Sequence, residues 1–182
     1  MSRPRFAAFA LAAVFVAAAA LPATPAAAAE AQPLPEELTL TTLDGEKVRM
    51  GDLRGKVVLL DFWATWCEPC RHSTPHLRRL DERLDDEPFE IIGVSADSDE
   101  EALRAYLEEE GIEWTQVWDP RGQATDAFGV TGFPYYLVID HEGRPVSKLE
   151  GWSDGHAAAL QRAVVRELRP AKKAAKQAAG SR

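Results

Sequence analysis

Leu38 to Thr42 and Glu46 to Met50 alternate apolar and polar positions on either side of Asp44-Gly45, the pattern of two short strands joined by a tight turn. The next run differs: Val57-Val58-Leu59-Leu60-Asp61-Phe62-Trp63 is apolar without alternation except at Asp61, as a strand buried on both faces requires. Phe89 to Val94 is its expected neighbour. Between them, Leu77, Leu80 and Leu84 recur at helical spacing behind Pro69, which suits a first helical turn, and Pro75 is expected to kink that helix. Further along, the spacing predicts a helix over Asp99 to Glu109 through Leu103, Tyr106 and Leu107. A strand over Glu113 to Trp118 and a short helix over Gln123 to Phe128 follow. Tyr135 to Ile139 and Arg144 to Leu149 form a hairpin around Asp140-His141-Glu142-Gly143, and a last helix carries Leu160, Val164, Val165 and Leu168. Strands and helices alternate regularly, so the fold class is α/β, a central mixed sheet flanked by helices.

The ends of the chain stand apart from this pattern. Arg3 and Arg5 precede a largely Ala, Leu, Val and Phe stretch from Phe6 to Leu21, and small residues follow from Pro22 to Ala29. Residues 1–29 therefore read as a secretory signal peptide, with an uncleaved membrane anchor as the other reading of the same apolar run. No cysteine lies near the junction to suggest a lipid anchor. About 153 residues remain, enough for one domain over residues 34–168 and too few for a second. The net charge is −8, and −10 once Arg3 and Arg5 are taken away, which disfavours nucleic acid as a partner. Arg169, Lys172, Lys173, Lys176 and Arg182 concentrate in an Ala-rich stretch, so residues 169–182 are expected to form a disordered, solubilising tail.

Both cysteines of the chain fall in one motif, Cys67-Glu68-Pro69-Cys70, directly behind the apolar strand. Two thiols three residues apart at a helix start can close a small disulfide ring, with Cys67 as the exposed nucleophile and Cys70 as the resolving thiol one turn deeper. Unpaired N–H groups at a helix start favour the Cys67 thiolate. Two other uses of the pair stay open on residue pattern alone. An inert structural disulfide is one; a metal site with His72 and His76 is the other, although ligands along one helix start fan out over too wide an angle to surround one ion. No metal or other cofactor is expected.

Other residues bear on the same chemistry. Asp61 puts a carboxylate inside an apolar strand six residues before Cys67, where burial raises its pKa and it can exchange a proton with Cys70; a solvent-facing Asp on an edge strand is the alternative. Glu68 opposes thiolate formation by its charge unless it points to solvent, and Pro69 constrains the turn; together they favour a more reducing pair. Trp66, and Trp63 where it is not plain core, offer a partner polypeptide an apolar landing surface. In Gly132-Phe133-Pro134-Tyr135, Pro134 either takes a cis bond or merely starts the strand. The backbone of Phe133 can there pair with an extended substrate.

Val57 to Cys70, Pro75, and Phe128-Gly129-Val130-Thr131-Gly132-Phe133-Pro134 together resemble the thioredoxin superfamily, and more closely its exported thioredoxin-like branch of TlpA and ResA type proteins and cytochrome c biogenesis reductants. The resemblance covers about residues 34 to 168. It implies a thioredoxin-like fold with an N-terminal β-hairpin at Leu38 to Met50 and a central helix–strand insertion at Asp99 to Trp118. It implies Cys67 as attacking cysteine, Cys70 as resolving cysteine, Pro134 as the cis-proline beside them and Asp61 as the buried carboxylate. Two departures are visible: the branch often carries glutamate three residues after the second cysteine, where this chain has Ser73, and threonine after the cis-proline, where it has Tyr135.

The function expected on these grounds is an exported thiol–disulfide oxidoreductase, periplasmic and monomeric, soluble or tethered by its N-terminal segment. It would reduce a client protein that carries a disulfide or CxxC pair, such as apocytochrome c or metal-site cysteines. A membrane electron donor of the DsbD/CcdA kind would replenish it, since the periplasm is oxidising. Two rivals are a copper or haem chaperone that uses the cysteines as ligands, against which stands the absence of methionines beyond Met1 and Met50, and a thiol peroxidase, whose usual lone cysteine context is missing here.

Overall fold

The computed structural model describes residues 33–180; the expected signal segment at residues 1–29 lies outside them. Val57–Trp63, here β3 after the ribbon strands β1 (Thr39–Thr41) and β2 (Lys47–Arg49), is buried at every position. The reason is its place in the middle of a five-stranded sheet. Around it lie β4 (Phe89–Ser95), β5 (Thr115–Trp118), β6 (Tyr135–Ile139) and β7 (Pro145–Glu150), in the order β5-β4-β3-β6-β7. The pairs β3–β4 and β4–β5 are parallel, whereas β3–β6 and β6–β7 are antiparallel.

The parallel pairs need crossovers. The helix α1 (Glu68–Leu84) returns the chain from β3 to β4, and α2 (Glu100–Glu110) from β4 to β5. Asp99 caps α2 by accepting from the Ala102 N–H, and Gly111 ends it at φ 61°, a conformation that favours glycine. The insertion expected at Asp99 to Trp118 is α2 with β5, which adds a parallel edge strand. A short α3 (Gln123–Ala127) leads to β6, and α4 (Asp154–Gly180) closes the chain.

Strand pleating divides the core in two. Val58, Leu60 and Phe62 point to one side, where Leu40 of the ribbon, Met50 and Leu53 of a 3₁₀ turn, and Val130 meet them. Val57 and Leu59 point to the other, against Leu77 and Leu80 of α1 and Leu160, Val164 and Leu168 of α4. Each fully buried Leu or Phe here contributes about 1.5–3 kcal/mol relative to exposure.

Two expectations change. Residues 169–180 are helical, not a disordered tail: Ala171 is wholly buried and extends the apolar stripe of α4 by one turn, alanine is the best helix former, and Lys172 pairs with Glu87. Val165, expected on the core stripe, is 41% exposed, because Ala163, Val164 and Leu168 already fill the arc that faces the sheet.

Candidate redox site

The site forms where β3 ends. Trp63 is the last strand residue, Ala64 to Trp66 turn outward, and Cys67 occupies the N-cap of α1 with Pro69 in its first turn. Cys67 and Cys70 are joined as a disulfide, and Cys67 Sγ accepts from the Cys70 N–H at 3.3 Å. Both cysteines are buried, Cys70 at 2% exposure and Cys67 at 6%, so the exposed Cys67 expected at the helix start is not found in this disulfide form.

The covering side chains come from several elements. Trp63, Leu103, Tyr106 and Ile112 pack with the cysteines, and Trp63 Nε1 donates to Gln116 Oε1 at 3.1 Å. Trp63 is therefore core, and Gln116 reaches it only because Gly93 leaves room: a Cβ there would lie 2.3 Å from Gln116 Oε1. Trp66 is the opposite case, 67% exposed and edge-to-face with Phe133 at 5.8 Å between ring centroids. Glu68 and Pro69 are exposed beside it.

The Phe133–Pro134 peptide bond is cis, and Pro134 is buried with its carbonyl accepting from the Gly151 N–H at 2.8 Å. Asp61 lies on the α1-facing side of β3, 4% exposed, so the edge-strand reading does not hold. Its Oδ1 has no hydrogen-bond partner among the described residues, and burial pushes the carboxyl up to about 8. Directly across the β3–β6 ladder stands Tyr136, wholly buried, whose hydroxyl is held protonated first by burial and then by the neighbouring Asp61. That hydroxyl lies toward Ser73 without meeting full hydrogen-bond geometry, while Ser73 Oγ itself donates to the Cys70 carbonyl at 2.6 Å. His76 meets Trp152 in a tilted ring contact at 5.3 Å between centroids and His72 is exposed; among the described residues no cluster suited to a metal ion occurs.

Sequence reasoning missed the anchor of the loop before Cys67. The buried Asp97 carboxylate accepts from the Thr65 N–H at 3.0 Å, from Thr65 Oγ1 at 2.6 Å and from Ser95 Oγ at 2.7 Å. Trp118 Nε1 donates to its carbonyl at 2.7 Å. The available signal was Ser95-Ala96-Asp97 at the exit of an apolar strand, where short polar side chains fix loops.

The Redoxin family profile matches residues 23–153, more than half of the chain. The chain belongs to the Redoxin family. Within the thioredoxin superfamily it is a member of the TlpA/ResA-like kind. It is 30% identical over 112 residues to the thiol-disulfide oxidoreductase ResA of Bacillus thuringiensis subsp. konkukian, covering 62% of this chain and 65% of that one. It is 34% identical over 117 residues to the thioredoxin-like protein YneN of Bacillus subtilis, covering 63% of this chain and 67% of that one. Among solved structures, a Chlorobium tepidum protein assigned as thiol:disulfide interchange protein DsbE superposes with a TM-score of 0.70 at 29% identity, over 76% of this chain and 97% of that one. The thioredoxin domain of a Bacteroides vulgatus thiol-disulfide oxidoreductase does so with a TM-score of 0.63 at 32% identity, over 75% and 98%. The chain spans 65% of the length of the ResA relatives it matches.

Proposed function

We propose that this Redoxin-family protein is an exported thiol–disulfide oxidoreductase that reduces client proteins. The observation that carries the reading is the cysteine pair at the N-terminus of α1, flanked by the exposed Trp66 against a half-buried Phe133, with the buried Asp61 on the strand that leads to it. The Cys67 thiolate attacks one sulfur of a client disulfide, forming a mixed disulfide and expelling a client thiolate. Cys70, deprotonated, then attacks Cys67 Sγ, releases the second client thiolate and closes the Cys67–Cys70 bond. Two electrons pass to the client. A dithiol donor of the DsbD/CcdA kind at the membrane returns them.

Asp61 is the acceptor for the Cys70 proton. Its pKa of about 8 lies close to that of an ordinary thiol, so transfer between them is nearly balanced in energy. The client lies extended against Phe133, whose backbone N–H and C=O make no backbone hydrogen bond among the described residues, and beside Pro134 and Trp66. Glu68 points to solvent, so its charge is screened from Cys67 and carries little of the reading. Clients of the apocytochrome c or metal-site CxxC kind fit this chemistry, and we assign the working form as a periplasmic monomer of residues 34–168 with α4 continuing beyond.

Trapping tests the reading. A Cys70→Ser variant incubated with an oxidised CxxC polypeptide is expected to accumulate a dithiothreitol-sensitive adduct through Cys67. Absence of any adduct, with the parent failing to reduce insulin, would overturn it.

A further inference from the structure

On the solvent side of α4, Arg162, Arg166, Arg169, Lys173 and Lys176 are all exposed and spaced alternately four and three residues apart. That spacing keeps them on one face for about 21 Å, opposite the buried Leu160, Val164, Leu168 and Ala171. Arg166 pairs with the adjacent Glu167; the other four have no carboxylate partner among the described residues. α4 holds six cations against Asp154 and Glu167, a net +4 in a chain of net −8, so all other residues sum to −12. Such a molecule meets an anionic surface by one edge only, since its remaining surface is repelled.

We propose that this row docks the protein on an anionic phospholipid surface with the redox site held away from it. The row lies toward the far end of the molecule. α4 starts three residues after Gly151, whose N–H reaches the Pro134 carbonyl beside the cysteines, and at its other end Lys172 pairs with Glu87, beyond the C-terminus of α1. A client can therefore occupy Cys67 while the row is engaged. A lipid surface fits better than an acidic protein. Residues 169–180 carry no aromatic or large aliphatic side chain, and Val165 is the one exposed large apolar group described on α4. A specific protein interface needs such anchors, whereas attraction to acidic lipid needs only accumulated charge.

The test is partitioning of the full chain onto vesicles of phosphatidylcholine alone and of phosphatidylcholine with phosphatidylglycerol. The N-terminal segment, with Arg3 and Arg5, is the same in every sample, so the row is read from the difference between parent and variants. The parent is expected to prefer anionic vesicles by about 100-fold at low salt, with the preference largely lost near about 0.5 M salt. Replacing all five cations (R162Q/R166Q/R169Q/K173Q/K176Q) should bring the preference down to the small one that Arg3 and Arg5 give. K173Q/K176Q, beyond the last buried residue Ala171 and so harmless to folding, should lower it by about fivefold or more. Insulin reduction in solution should stay unchanged in both variants. Equal partitioning of the parent onto the two lipids, a preference undiminished in the five-site variant, or tighter binding to poly-glutamate than to anionic vesicles would each overturn the assignment. The cysteines take no part in the partitioning, so its failure leaves the redox reading standing.

Discussion

The two faces of β3 are equally dry and chemically opposed. Val58, Leu60 and Phe62 enter a cluster of apolar side chains from the ribbon, the 3₁₀ turn and the β6 strand, where each group gains by burial. One residue over, Val57 and Leu59 begin the same way toward α1 and α4, but the third position on that face is Asp61, opposite Tyr136, whose hydroxyl lies toward Ser73. A carboxylate there costs stability, and nothing among the described residues satisfies its Oδ1. One face maintains the fold; the other gives up stability on the strand that leads to the cysteines, as sites with shifted pKa values do.

The contrast can be broken by substitution, and the largest effect is expected at the end of the strand. Cys67→Ser should bring insulin reduction to background while leaving the thermal unfolding of the reduced protein within a few degrees of the parent. On the apolar face, Leu60→Ala should cost about 2–5 kcal/mol in denaturant unfolding at every pH, with the rate per folded molecule nearly unchanged. On the other face, Asp61→Asn should reverse the sign. Asp61 titrates near 4 when unfolded and at about 8 when folded, so the folded state holds the extra proton between those values. Parent stability is undiminished below about pH 4, falls as pH rises through the window and levels off above about pH 8. Asp61→Asn should therefore match the parent at low pH and exceed it above pH 8, by roughly 5 kcal/mol at most, while reducing insulin about tenfold more slowly near neutrality. A variant that lost stability at high pH would place the apolar account on both faces.

Smaller effects sharpen the picture. Trp66→Ala should raise KM for a protein disulfide several-fold, about 1 kcal/mol, and leave reduction of a small disulfide untouched, because the exposed ring touches only a polypeptide client. Tyr136→Phe, the least disruptive, should change stability by no more than about 1–2 kcal/mol and shift the pH dependence of reduction only as far as the hydroxyl acts on Asp61.

Much of this was legible in the residues. The unbroken apolar run with Asp61 inside it announces a central strand, and the CxxC behind it places two thiols at a helix start; both follow from local pattern and chain geometry. Asp97 was legible only as a short polar residue at a strand exit and its role was not, because its partners Thr65 and Trp118 come together only when β4 and β5 align with the loop after β3. Tyr136 was read as one residue of an apolar strand, and only the β3–β6 register sets it against Asp61. The last three turns of α4 were hidden for another reason: an Ala- and Lys-rich stretch reads as solvated tail until Ala171 is found against the core.

The central claim is that Cys67 and Cys70 deliver electrons to clients, and the equilibrium reduction potential of the pair tests it most directly. A value near roughly −270 mV or lower is what a reductant supplied by a membrane donor requires. A value near roughly −120 mV would contradict the account and make the protein a donor of disulfides.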